Sequence, residues 1–150
     1  MTVIRPRGRH YFPRPDAAAV RSLLNDAGLP ASDLTPRHLQ HFIGFGDAHA
    51  LQGVIGLELY PPVALLRSLA VAASERSGGI GSELVERGER YACEHGVSEI
   101  YLLTTSAERF FARVGYERVA REQAPQAIRG TVEFSTLCPV SSALMRKRLD

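Results

Sequence analysis

The sequence predicts an α/β fold with a mixed central sheet, and three observations carry that expectation. Strand-like and helix-like stretches follow the order β-α-β-β-β-α-β-α-β, with the middle strands joined by turns rather than helices, unlike a doubly wound parallel sheet. The stretch Leu65 to Gly81, LLRSLAVAASERSGGIG, reads as a buried strand, a short turn and a glycine-rich loop that opens straight into a helix. The chain has 150 residues, 45% hydrophobic and 23% charged, enough for one domain with a sizeable core.

In chain order, residues 1 to 15 are basic and proline-containing, with Arg5, Arg7, Arg9 and Arg14. A short edge strand is expected near His10 to Phe12, since edges tolerate proline. Asp16 is placed to cap a helix from Ala17 to Ala27, whose apolar positions Ala17, Val20, Leu23, Leu24 and Ala27 follow helical spacing. Gly28 ends it, and Thr35 with Pro36 starts a further short turn. Leu39 to Phe45 and Ala50 to Tyr60 form a strand pair joined by Gly46-Asp47-Ala48-His49. In the second of these, Val54, Gly56, Glu58 and Tyr60 share a face. Pro61-Pro62 turns the chain into the strand Leu65 to Val71, where Leu65, Arg67, Leu69 and Val71 share a face. A helix from about Ser82 to His95 stops at Gly96. Then come a strand from Ile100 to Thr105, a helix from Ala107 to Val114, and a strand near Tyr116 to Ala120. Another helix is expected within Pro125 to Leu137, and the final strand is Ser142 to Arg148.

Bulk composition excludes several functions. A net charge of +2 gives no argument for nucleic acid or a membrane surface. No apolar run is long enough to span a bilayer, and the N-terminus has no apolar signal core, so a cytoplasmic location is expected. Cys93 and Cys138 lack a C-x-x-C spacing, so neither a disulfide nor a thiol metal site is expected. His38 and His41 read as a solvated pair, and no metal is expected.

The glycine-rich loop Arg76-Ser77-Gly78-Gly79-Ile80-Gly81 points backbone N–H groups one way at the positive end of a helix dipole, which suits phosphate. It lacks the lysine of a Gly-Lys-Ser/Thr loop and the third small residue of a dinucleotide fingerprint. The pattern Arg-x-x-Gly-x-Gly after a strand ending Leu-Ala-Val instead resembles motif A of the GCN5-related N-acetyltransferases. The stretch Ala107 to Tyr116, AERFFARVGY, resembles that family's late helix and turn.

The resemblance implies a mixed, mostly antiparallel sheet flanked by helices, acetyl-CoA as co-substrate, and a small-molecule amine as acceptor. It implies that backbone groups of Leu69, Ala70 and Val71 hold the pantetheine, and that Arg76, Ser77, Gly78, Gly79, Ile80, Gly81 and Ser82 hold the pyrophosphate. The family's usual tyrosine in the late helix is Phe111 here, which has no proton to give to the departing thiolate and reads as core or cofactor wall. Thr105, Ser106 or Tyr116 could serve instead, or the thiolate, with a pKa of about 8.5, leaves unaided.

Four stretches carry a finer likeness: Gly56-Leu57-Glu58, Leu65 to Val71, Tyr101 to Thr105, and Thr131 to Ser142. They resemble the small N-acetyltransferases encoded with arsenic-resistance genes, some of which acetylate the glutamate mimics arsinothricin or phosphinothricin.

Acyl transfer needs a neutral amine, hence a base. Glu58, a carboxylate within a strand, is the candidate base. Val71 N–H is the candidate donor to the tetrahedral oxyanion. Arg67 suits a substrate carboxylate or phosphonate, because its planar fork binds oxyanions in two places. A second reading stands beside this one, in which Glu58 and Arg67 simply pair across the sheet. Thr104 and Thr105 end a strand near the expected cleft, and Glu133 is a candidate to close it. Two rival functions remain open. One is a non-catalytic acetyl-CoA-binding module, favoured by Phe111. The other is an enzyme acting on protein or peptide amines, which would want an acidic groove that no acidic run supplies. By analogy alone, the final strand is a candidate for pairing across a homodimer.

Overall fold

The computed structural model describes residues 10–47, 50–76 and 78–150. Its strands are β1 (His10–Pro13), β2 (Phe42–Asp47), β3 (Ala50–Tyr60), β4 (Val63–Val71), β5 (Glu99–Thr104), β6 (Glu117–Val119) and β7 (Ala143–Arg148). The helices are α1 (Ala17–Asp26), α2 (Pro36–Leu39), α3 (Ile80–Glu94), α4 (Glu108–Arg113) and α5 (Gln126–Arg129). The strands form one sheet in the order β1-β2-β3-β4-β5-β7-β6. Among the pairings described, only β4–β5 is parallel. The mixed, mostly antiparallel α/β architecture is the expected one. The basic residues Arg5, Arg7 and Arg9, the turn residues Ala48 and His49, and Ser77 lie outside the described residues.

Chain contacts group the molecule into two compact units, residues 1–56 with 68–84, and residues 57–67 with 85–150. In the first, β1 and β3 flank β2 antiparallel, with Tyr11 opposite Phe45 and Phe42 opposite Gly56. Asp16 caps α1 as expected, its Oδ2 accepting from Ala19 N–H at 3.1 Å. The helix then buries Val20, Leu23 and Leu24 against Leu34, Leu39, Phe42, Val54 and Ala70. Each such side chain contributes about 1.5–3 kcal/mol through removal from water.

The strand expected from Leu39 begins at Phe42 instead, because a capping box starts α2 first. Thr35 Oγ1 accepts from His38 N–H, and His38 Nδ1 accepts from Thr35 N–H at 3.1 Å. His38 therefore closes a helix end, a use its spacing from His41 did not reveal.

Two glycines of β3 allow close approach. A Cβ at Gly56 would lie 2.3 Å from the Phe42 ring. One at Gly53 would lie 3.0 Å from Leu84 and 3.3 Å from Ile80, so the first turns of α3 sit directly on this strand.

In the second unit, β4 and β5 pair over Val63–Glu99, Ala64–Ile100 and Leu65–Tyr101, and β7 pairs with both β5 and β6. Leu65, Tyr101, Ala124, Ile128 and Leu144 form its core with Val63, Leu103, Val119 and Phe134. Because β7 has a neighbour on each side within its own chain, the expectation that the final strand pairs across a dimer is corrected. Among the described residues, the sheet's edges are β1 and β6.

The helix expected within Pro125 to Leu137 is α5, which starts after Pro125 and is short. α5 ends at Gly130, and a π-type turn follows at Glu133–Leu137. Thr131 Oγ1 donates to Ile128 O at 2.7 Å and accepts from Phe134 N–H at 3.2 Å, a local alternative to helical bonding.

Candidate active site

At the end of β4, Ala72 N–H donates to Gln52 O at 2.8 Å, which ties the strand exit to β3. A tight turn follows at Ala73–Glu75, and Arg76 Nε reaches back to Val71 O at 3.0 Å. Arg76 thus fixes the path of the loop it belongs to. Gly78 and Gly79 are exposed. Gly79 has φ +78°, and a Cβ there would meet nothing within 4 Å. The left-handed turn that glycine permits therefore opens onto empty space beside the start of α3.

Gly81 and Ser82 lie in the first turn of this 15-residue helix, where N–H groups lack intrahelical partners. Ile80 is buried, so it can offer only its backbone to a ligand. This donor set fits a pyrophosphate: exposed glycine backbone, an unobstructed approach and a helix N-terminus. Leu69 and Val71 are half-buried, while Ala70 packs into the first unit's core. Gly53, which seats the start of α3, was missed in the sequence. A glycine inside a strand was the available signal.

β4 is not regular. Ser68 has φ +60°, in the left-handed region that a non-glycine residue rarely adopts. A residue in that region departs from extended geometry, so period-two counting from Leu65 and Arg67 does not carry through to Leu69 and Val71.

The buried charges form one cluster in the second unit. Arg67 Nη1 donates to Glu58 Oε2 at 2.8 Å, and Arg67 Nη2 lies 3.3 Å from Glu133 Oε2. The Arg67 side chain has no solvent exposure, and those of Glu58 and Glu133 have 7% and 6%. Tyr60, two residues after Glu58, donates its hydroxyl to Glu58 Oε1 at 2.6 Å. Burial and that bond push the Tyr60 phenol well above its ordinary range, so it remains a donor throughout the neutral range. Cys138 Sγ lies 4.0 Å from Glu133 Oε1.

The cross-sheet pairing of Glu58 with Arg67 is therefore what the structure contains, with Glu133 as a third member. Tyr60 is a member that the sequence reading placed on the right face without assigning it a bond.

Other expected residues fall elsewhere. Thr104 Oγ1 accepts from Ala107 N–H at 2.9 Å, which shapes the entry to α4, and Thr105 is exposed just beyond β5. Phe111 is buried, edge-on to Phe110 and Tyr116 at centroid distances of 5.1 and 5.8 Å. Tyr116, considered as a substitute acid, is only 3% exposed. Burial and the nearby Glu89 carboxylate push its phenol strongly upward, against proton release. Cys93 is exposed on α3.

A model of the acetyltransferase (GNAT) family matches residues 9–116. The chain belongs to the GNAT acetyltransferase family. Within that family, it is 44% identical over 66 residues to an uncharacterised N-acetyltransferase of Chlorobaculum tepidum, a match covering 44% of this chain and 42% of that protein. The fold of this GNAT chain is also seen in N-acetylglutamate synthase from Neisseria gonorrhoeae, solved with coenzyme A and L-arginine. There the TM-score is 0.78 at 19% identity, over 93% of this chain and 33% of that one. Rv2747 of Mycobacterium tuberculosis, solved in complex with CoA, gives a TM-score of 0.75 at 18% identity, over 94% of this chain and 99% of that one. The GNAT chain thus spans about two fifths of the C. tepidum relative and a third of the synthase. No helix among its described residues is long and apolar enough to cross a membrane.

Proposed function

We propose that this protein transfers the acetyl group of acetyl-CoA to the amine of a small amino-acid-like compound, with Glu58 as the base. The observation that carries this reading is the Glu58 carboxylate, buried in β3 and hydrogen-bonded at both oxygens. A buried carboxylate held in a fixed orientation by its donors suits a general base. Family membership and the open glycine loop support acetyl-CoA as donor. Its thioester supplies the activated acyl group. The chain's own residues hold the pyrophosphate at Gly78 to Ser82 and the pantetheine along Leu69 to Val71. Val71 N–H is the proposed donor to the developing oxyanion, and Glu58 the proposed acceptor of the amine's proton.

The finer acceptor reading is a glutamate mimic such as arsinothricin or phosphinothricin, in arsenic resistance or detoxification. It rests on the four stretches around Glu58, Arg67, Thr104 and Glu133 that resemble the arsenic-associated acetyltransferases. A second reading, a non-catalytic acetyl-CoA-binding module, draws on Phe111. Its ring sits where relatives carry a phenol, and the adjacent Tyr116 hydroxyl is buried beside Glu89.

The deciding experiment incubates the protein with acetyl-CoA and glutamate, other amino acids, phosphinothricin, arsinothricin and a lysine peptide, with mass spectrometry of the products. Acetylation of an amino-acid amine, lost or strongly reduced in Glu58→Gln, is the expected result. Acetyl-CoA binding with no product across the panel supports the module reading or an acceptor outside the panel.

A further inference from the structure

Arg67 is the residue whose setting departs furthest from its sequence reading as an anchor for a substrate anion. Its guanidinium is fully buried, and both terminal nitrogens face carboxylates of its own chain. A guanidinium is planar, so two carboxylates on different nitrogens fix its plane as well as its position.

Neither anchor is a swinging group. Glu58 lies in β3. Glu133 opens the π-type turn, where Cys138 N–H donates to Glu133 O at 2.9 Å and Thr131 Oγ1 accepts from the next residue's N–H. Glu58 in turn accepts from Arg67 on Oε2 and from Tyr60 on Oε1. A carboxylate held at both oxygens cannot rotate about its last bond without losing one of them.

We propose that Arg67, Glu133 and Tyr60 are positioning residues that lock the Glu58 carboxylate for proton transfer, and that Arg67 does not bind an anionic group of the acceptor. The proposal rests on Glu58 being the base. Both terminal nitrogens of the guanidinium already face carboxylates of the chain, so the acidic groups of an amino-acid acceptor are held elsewhere.

The test measures steady-state kinetics at saturating acetyl-CoA with L-glutamate and with its dimethyl ester, which keeps the amine and lacks both carboxylates. Arg67→Lys and Glu133→Gln are expected to lower kcat by about 10–100-fold with both acceptors, since small misplacements of a reacting group cost about that much. KM should change less than about threefold, as befits a group that does not contribute to ground-state binding. A rise in KM confined to glutamate, with kcat unchanged, overturns the proposal and makes Arg67 a substrate anchor.

Tyr60→Phe leaves both ion pairs in place and keeps the test open if the Arg67 variant fails to fold. It is expected to lower kcat with both acceptors, and an unaltered kcat also overturns the proposal. Glu58→Gln runs in parallel. Full turnover in that variant removes the base, and this proposal with it. Lost turnover in Glu58→Gln alone, with the other three variants active, removes only the positioning roles. A wild-type protein that acetylates no amino acid of the panel removes both.

Discussion

Arg67 Nη1 and Glu58 Oε2 stand 2.8 Å apart, from residues nine apart in sequence on the two strands that meet at Pro61-Pro62. Both side chains are essentially out of water. Taking two charges from solvent carries a cost that the pair only partly recovers, but removing one partner leaves an uncompensated buried charge. Arg67→Ala should therefore lower unfolding free energy by about 3–5 kcal/mol in urea titrations. Arg67→Met combined with Glu58→Gln and Glu133→Gln should lose much less, because no buried charge is then stranded. Equal losses in the single and triple variants would mean that packing, not charge, dominates at this position.

Gly79 separates conformational from steric demands in the loop. Its φ of +78° costs a side chain about 1–2 kcal/mol, yet a Cβ there meets no neighbour. Gly79→Leu should fold with a modest fall in melting temperature while its acetyl-CoA affinity, read by calorimetry, weakens by about tenfold or more as the side chain fills the phosphate approach. Unaltered affinity would show that the pyrophosphate lies elsewhere.

Phe111 packs edge-on against two aromatic rings and is 6% exposed. Phe111→Ala should destabilise the protein by about 3–5 kcal/mol in denaturant titrations, the usual cost of an aromatic cavity. A loss below about 1 kcal/mol would place the ring at the margin of the core.

Tyr116 titrates above the ordinary phenol value of 10.0 because it is buried and lies beside the Glu89 carboxylate. In the unfolded chain it ionises near that ordinary value, so its contribution to stability is intact below about pH 10 and declines as pH rises further. Tyr116→Phe should show a flatter fall in stability above pH 10 than the parent, measured by denaturant titration at stepped pH. At neutral pH it should be no less stable, since the buried Tyr116 hydroxyl makes no hydrogen bond among the described residues. A steeper alkaline decline in the variant would contradict this account.

The fold was largely legible because its signals are local. Asp16 before an amphipathic run, alternation through Ala50–Tyr60, and glycines after Val71 each fix an element without reference to the rest of the chain. β2 was misplaced by three residues at its start because Thr35 and His38 form a side-chain cap that periodicity does not register. Pro125 announces a helix start, and α5 follows it, but no local pattern marks where that helix ends. Thr131 bonds its own backbone neighbours, and the chain turns there instead.

At the candidate site, Glu58 and Arg67 stood out as charges in apolar strands, and their pairing was one of two readings. The part played by Glu133 was not legible. It joins the pair from 66 positions beyond Arg67, through a turn whose shape no local pattern announced.

The contact between Gly56 and Phe42 limits how this chain can change over generations. A methyl group added at position 56 collides with a ring that is itself 1% exposed and has no room to retreat. A smaller residue at position 42 leaves a void under the strand that leads to Glu58. Either step taken first passes through a weakened protein, so a lineage that alters one position is expected to alter the other with it. Glycine opposite a large aromatic, or a larger residue opposite a smaller one, should be the two states that descendants occupy.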